Sequence, residues 1–247
     1  GAGIPAHSIC HFASGNLGTL GNTEDNPLRP DLIRFWEENY SANIMTLAVY
    51  GPQPLDELER MVQERFGAIA NRNLEPKVHP HPLYDTSRLP EKVTAETLKD
   101  NRSMTLSFPI PSQQRYYKSK PAAYVANLLG HEGPGSLFDV LKRAGMVESL
   151  SAGTGMDTGE HATLDISMSL TRDGLEHQDE IIALTFEYID RIRDDGISQQ
   201  RFNEMRQLAM IDFRFRERAE AQSEAMRLSR LLQDYPPDDV LNAPWQL

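Results

Sequence analysis

The histidines of this sequence are the side chains best suited to metal or acid–base chemistry. Seven are present, at positions 7, 11, 79, 81, 131, 161 and 177. A catalytic zinc usually takes three protein ligands, two of them often histidines in the pattern H-E-x-x-H or H-x-x-E-H. Glu160-His161 has aspartate at position 157 instead of the first histidine, and His131-Glu132 has Gly135 instead of the second. The sequence therefore predicts no metal site and no catalytic residue in this chain.

The remaining spacings offer no stronger site. His7 and His11 are four residues apart with Cys10 between them, but Pro5 and Gly15 predict an irregular segment rather than a helix. No G-x-S-x-G nucleophile elbow and no G-x-x-x-x-G-K-[ST] phosphate loop occurs. The single cysteine excludes an internal disulfide and a multi-cysteine zinc site.

The glycine-rich turn Gly130–Gly135 is the most informative candidate for binding. Glycine lets another backbone approach closely, and Glu132 places a carboxylate in the same turn. A carboxylate beside an exposed strand edge could hold the free α-amine of a peptide, while the edge adds main-chain hydrogen bonds. Alternatively, the turn only joins two helices and Glu132 caps the second, since glycine and proline in a turn need no ligand.

The acidic net charge argues against two classes of binding partner. The formal net charge is −11 at pH 7, whereas nucleic acids and anionic membranes both attract clustered Lys and Arg. No apolar run approaches the roughly 20 residues of a membrane helix. Gly1–Pro5 does not resemble a signal peptide and is interpreted as a cloning scar or a cut point. We therefore expect no nucleic acid and no membrane as partners, and the sequence does not fix the compartment of the parent protein.

In the first part of the chain, the sequence predicts two helices with a strand between them. Apolar residues at helical spacing predict helices over Asp31–Tyr40 and from Pro54 to Phe66. Between them, the apolar run Ile44–Tyr50 predicts a buried strand. Four prolines between Asn71 and Pro90 interrupt any regular pattern, which predicts an interdomain linker.

In the second part of the chain, after the predicted linker, the sequence predicts strands and helices in alternating groups. The predicted strands are Lys92–Leu98, Met104–Phe108, Glu148–Thr154 and Ala162–Leu170. The predicted helices are Pro121–Leu129, a short one around Leu137–Leu141, and two long ones, Leu175–Arg193 and about Ser198–Gln233. This order predicts an α+β fold, in two layers, with helices packed on mainly antiparallel sheets.

Three segments, spaced along the chain, carry a family resemblance. They are the run from Trp36 to Leu47 with Tyr40-Ser41-Ala42-Asn43 at its centre, the run from Ser107 to Pro111 followed by Tyr116–Ser119, and Leu128–Leu137 with its HEGPGS sequence. Occurring together and in this order, they resemble the insulinase (pitrilysin) family of zinc metallopeptidases, from about Pro5 to the C-terminus.

The resemblance implies an architecture. In that family four homologous α+β domains form two halves that close around a peptide, and the first domain binds zinc through H-x-x-E-H and a distant glutamate. By this resemblance, residues 1–71 are the end of the first, catalytic domain, residues 72–90 are a linker, and residues 91–247 are most of the second, noncatalytic domain. Zinc is then expected in the parent protein and not on this chain.

The resemblance also implies a function for the glycine-rich turn. An exosite in the second domain of the family anchors the substrate N-terminus, and the matching positions here are Gly130, Glu132, Leu150 and Ala152. Ala152 stands where the family has glycine, and Ala123 and Asn127 stand where it has two further exosite histidines. We therefore expect a fragment of a zinc-dependent metalloendopeptidase that encloses and anchors peptide substrates and is completed by missing domains of the same chain. The alternative is a noncatalytic peptide-binding or partner subunit of an insulinase-type heteromer.

Overall fold

The structure, a computed structural model, describes residues 14–16, 18–21, 27–77 and 84–246. Among these residues are eight α-helices and three β-strands. The helices are α1 Leu28–Asn39, α2 Leu55–Phe66, α3 Pro121–Leu129, α4 Leu137–Arg143, α5 Arg172–Glu176, α6 Gln178–Asp195, α7 Gln199–Arg214 and α8 Ala221–Asp234. The strands are β1 Ser103–Pro111, β2 Val147–Asp157 and β3 His161–Leu170. None of the helices in this described part is long and apolar enough to span a membrane.

The chain forms two compact units. The helix unit comprises Gly3–Leu83 and Arg216–Ala243 and contains α1, α2 and α8. The sheet unit comprises Tyr84–Phe215 and Pro244–Leu247, together with the first two residues. The division at Leu83–Tyr84 falls inside the predicted linker. The assignment of residues 1–71 and 91–247 to two successive family domains stays a prediction.

The sheet unit confirms the predicted α+β fold. Its strands are antiparallel in the order β1-β3-β2, so β3 is central and pairs on both sides. The helices α3, α4 and α5 pack on the sheet, and α6 packs on these helices. The buried residues that join the two layers include Leu129, Leu137, Leu141, Ile166 and Ile181. The predicted strands within Met104–Phe108, Glu148–Thr154 and Ala162–Leu170 are confirmed, each with wider bounds.

Local sequence signals set the ends of α3 and α4. Pro121 occupies the first position of α3, where its missing N–H costs no hydrogen bond, and Gly130 follows the last residue. Ser136 caps α4, because its hydroxyl oxygen accepts a hydrogen bond from the Asp139 N–H at 3.1 Å. Both helices run where the sequence predicts them.

Two predicted strands do not form in the described part of the chain. Ile44 ends a short 3₁₀ turn, and Met45–Tyr50 follows it without a partner strand, with Leu47 and Val49 close to half exposed. Lys92–Leu98 is exposed throughout. Both segments have the composition of a strand, but strand formation requires hydrogen bonds from a neighbouring strand, which a sequence pattern cannot provide.

The two long helices predicted near the C-terminus are each interrupted. The helix predicted from Leu175 begins instead at Gln178, since α5 ends at Glu176. The helix predicted over Ser198–Gln233 ends at Arg214, and α8 begins at Ala221. Here tertiary contacts outweigh local helix propensity, because α7 belongs to the sheet unit and α8 to the helix unit.

Polar contacts hold α8 within the helix unit. The Ser229 carbonyl accepts a hydrogen bond from the Thr46 hydroxyl at 2.7 Å, and Gln233 donates to the same hydroxyl at 2.6 Å. Glu224 lies between two guanidinium groups, with Arg227 at 2.6 Å and Arg216 at 3.0 Å. Hydrogen bonds from Arg227, and then from Arg216, lower the pKa of Glu224 to about 2.

We expect Glu224→Gln to lower the free energy of unfolding at pH 7 by on the order of 1–2 kcal/mol, the discounted value of an ion pair in contact with solvent. A carboxylate whose pKa is lowered on folding stabilises the protein above its ordinary value of 4.5 and loses this contribution as the pH falls toward 2. The variant should therefore lose less stability than wild type across that window. Urea unfolding followed by circular dichroism at several pH values measures both effects.

The control is Glu64→Gln, which removes an exposed ion pair with Arg60. Its effect on stability should stay below about 0.5 kcal/mol, since such pairs contribute little. Parallel pH curves for wild type and E224Q would contradict the role given to Glu224.

Candidate functional site

The end of α3 lies directly against β2. A methyl group added at Gly130 would be 3.2 Å from the Ala152 nitrogen and 3.2 Å from the Ala126 carbonyl oxygen. Both atoms belong to the backbone, so glycine is the residue that permits this approach. The structure therefore brings together Gly130 and Ala152, two of the four site residues that the sequence suggests.

One edge of β2 is unpaired in the described structure. The strand pairs with β3 along one edge, through Leu150 opposite Met168 and Ala152 opposite Ile166, and no other described strand pairs with its second edge. Leu150 is only 6% exposed and packs in the core, so it can offer a ligand its main-chain groups but not its side chain. An unpaired edge of this kind can accept an additional strand.

Glu132 is exposed in the turn that follows Gly130. Its carboxylate makes no hydrogen bond or ion pair with the residues that the structure describes. The interpretation that Glu132 caps α4 is wrong, because Ser136 is the cap and Asp139 accepts the Gly135 N–H at 2.8 Å. The Glu132 carboxylate thus remains available for a ligand.

His131 lies next to Glu132 and lines a cavity, although the sequence gave it no role. Its Nδ1 accepts a hydrogen bond from the Gly133 N–H at 3.0 Å, which leaves the proton of the neutral ring on Nε2. Asn127 on α3 and His131 in the following turn line a cavity of about 490 Å³ whose other wall includes the beginning of α7. Ala123 is half-buried on α3 and does not line this cavity.

A second, adjoining cavity of about 210 Å³ shares His131, Ser198 and Arg201 with the first. It lies between α3, α6 and the start of α7. Sequence reasoning missed this cleft because its walls come from helices separated by up to about seventy positions. No motif spans such a distance.

The described residues do not fit a zinc ion. No group of three or more His, Cys, Asp or Glu side chains converges as a metal site in the described ranges. The nitrogen Nδ1 of His177 is 3.3 Å from the Asp173 carboxylate, an exposed pair within one helical turn. The histidine pairs 7/11 and 79/81, and Cys10, lie outside the described residues. No catalytic step can be built from a metal on the residues that are described.

A family model described as "Peptidase M16 inactive domain" matches residues 28–208. The chain belongs to the peptidase M16 family. It is 37% identical to the insulin-degrading enzyme of Drosophila melanogaster over 98% of this chain and 25% of that protein. It is 34% identical to the Homo sapiens insulin-degrading enzyme over 99% of this chain and 24% of that protein.

The fold comparison agrees with this assignment. The crystal structure of pitrilysin superimposes with a TM-score of 0.82 and 27% identity, covering 97% of this chain and 26% of that one. The chain thus spans about a quarter of the length of the relatives it matches. The resemblance to the insulinase family is confirmed, and the part of that family that this chain matches is the domain described as inactive.

We expect Gly130→Ala to lower the free energy of unfolding by about 1 kcal/mol, since the added methyl group would press the α3 end away from the β2 backbone. Gly153→Ala, on β2 next to Ala152, is the matched control, because its methyl group would meet no atom within 4 Å. Urea unfolding measures both variants. Equal stability of G130A and G153A would show that the contact between Gly130 and Ala152 is not tight.

Proposed function

We propose that this chain is the noncatalytic portion of a zinc-dependent metalloendopeptidase that degrades peptides, and that it encloses the substrate and anchors its N-terminus. The observation that carries the proposal is the meeting of three features at one place. They are the exposed Glu132 carboxylate, the close approach of Gly130 to Ala152, and the unpaired edge of β2.

Each feature has a distinct part in holding a peptide. The Glu132 carboxylate would accept charge-assisted hydrogen bonds from a free α-ammonium group. The main-chain groups of Leu150 and Ala152 would pair with the peptide backbone as an added strand. The alanine at position 152 keeps both main-chain groups, so its methyl group does not remove this pairing. Such a site recognises a free terminus and a backbone, which suits peptides of varied sequence.

Anchoring aids cleavage elsewhere in the parent protein. A peptide held at one end explores fewer positions, so its scissile bond meets a distant catalytic centre more often. We place the zinc of the parent outside the described residues of this chain, which lack a suitable set of ligands. On this proposal the chain by itself binds peptides and does not cleave them.

The helix unit supports a second part of the proposal, that further domains of the same protein pack against it. None of the α1 residues is buried, and Leu32, Phe35 and Trp36 are each at least half exposed. The unpaired segment Met45–Tyr50 also leaves Leu47 exposed. Apolar side chains gathered on one unit commonly mark a contact surface, and an unpaired extended segment can accept a strand.

We expect Glu132→Gln to weaken the binding of a peptide with a free N-terminus about tenfold, because it removes the charge that faces the ammonium group. The N-acetylated form of the same peptide should bind wild type and variant equally. Isothermal titration of both peptides measures the difference. Glu160→Gln, at the exposed turn between β2 and β3, is the control and should bind like wild type. Equal losses for both forms of the peptide would refute the anchoring.

The zinc assignment has its own test. The coding frame of the parent is expected to encode H-x-x-E-H upstream of this segment, and the parent should cleave a fluorogenic peptide in a chelator-sensitive way. The 247-residue chain alone should show no cleavage. A parent without that motif would instead favour a noncatalytic peptide-binding or partner subunit. Cleavage by the isolated chain would contradict the proposal.

A further inference from the structure

The smaller cleft beside the glycine-rich turn has the size of one amino-acid side chain. Its volume of about 210 Å³ is below the roughly 300–1,000 Å³ of sites for drug-sized ligands. Tyr124 and Leu128 line it from α3, and Tyr188 and Ile192 line it from α6. The cleft therefore has room for a side chain but not for a larger cofactor.

Four residues of α3 and α6 give this cleft one apolar wall. The Tyr188 hydroxyl donates to the Leu128 carbonyl at 3.4 Å, and the Tyr124 hydroxyl accepts from the Ser198 N–H at 2.9 Å. Because both hydroxyl groups are engaged by the protein backbone, the two rings offer a ligand their apolar surfaces. Leu128 and Ile192 add aliphatic surface.

Charged residues also line the cleft. Arg191 lies 3.8 Å from the Asp195 carboxylate, which balances it. Arg201 lines the cleft as well, while Glu204 lines only the adjoining cavity. The preference for an apolar side chain therefore rests on the four apolar residues of α3 and α6.

The cleft lies within reach of a peptide held at Glu132. His131 lines the cleft and is the neighbour of Glu132 in the chain, so their Cα atoms are about 3.8 Å apart. An extended peptide advances about 3.3 Å per residue, and its side chains alternate between two faces. Only alternate side chains among the first few residues would therefore point toward the helices.

We infer that this cleft is a second subsite, which takes a bulky apolar side chain from the first four residues of the anchored peptide. The inference rests on the proposed N-terminal anchoring and adds a sequence preference to it. Peptides with a free terminus and a large aliphatic or aromatic residue at the correct position would bind more tightly than peptides with small residues there.

A peptide scan tests this inference. Four peptides carry one phenylalanine at position 1, 2, 3 or 4 of an otherwise Ala/Ser sequence, and a fifth carries none. Titrated against the 247-residue chain, the phenylalanine peptides should bind about fivefold to tenfold tighter at alternate positions, since the ring is then partly buried. Equal affinity of all five, with the preference for a free amine intact, overturns the subsite and leaves the anchoring. Loss of the preference for a free amine overturns both.

Two substitutions in α6 test whether the preference for phenylalanine arises in the cleft. Ile192 and Ile189 are the same residue type on one helix, both half-buried against the core, but only Ile192 lines the cleft. Ile192→Ala should remove most of the phenylalanine preference, whereas Ile189→Ala should keep it. Urea unfolding of both variants verifies that they are folded to the same extent. A phenylalanine preference that persists in I192A, or disappears equally in I189A, places the binding elsewhere.

Discussion

The close approach of the α3 C-terminus to β2 is the contact on which the candidate site depends. Gly130 follows the last residue of α3 and lies against Ala152 of β2, the strand with the unpaired edge. A larger residue at position 130 would separate the helix from the strand. This approach sets the position of the turn that carries Glu132. Within the turn, a separate hydrogen bond from the Gly133 N–H holds the imidazole of His131. A backbone contact without any polar side chain thus positions the polar residues of the site.

The sequence predicts those parts of the fold whose signals are local. Pro121, Gly130 and Ser136 mark helix ends by their own backbone preferences, so α3 and α4 could be placed from the sequence. The apolar alternation of β3 likewise shows which of its faces is buried. Ile44–Tyr50 has similar composition and yet forms no strand in the described structure, because a strand exists only with a neighbour. Local preference therefore places an element where a cap or an apolar alternation marks it, but it does not show where a long helix breaks or whether a strand has a partner.

One part of the candidate site can be predicted from the sequence and another part cannot. Glu132 and the glycines could be singled out from their types and spacing, because a carboxylate within a glycine-rich turn is unusual enough to notice. The connection to Leu150 and Ala152 came from family resemblance. The cleft could not be predicted from the sequence, because Tyr124, Tyr188 and Ser198 meet only after three helices pack together. Residues in the cleft look like ordinary core residues of their separate helices.

The two edges of the sheet differ chemically. β1, the edge strand opposite β2, ends in Pro109-Ile110-Pro111. In antiparallel strands the N–H groups of residues i and i+2 point the same way, and proline is tolerated only where that direction is outward. The outer side of β1 has therefore lost two successive donors, while β2 contains no proline. The two edges of one sheet therefore differ in how many hydrogen bonds they can donate to an extended chain, and β1 is the poorer donor at its end.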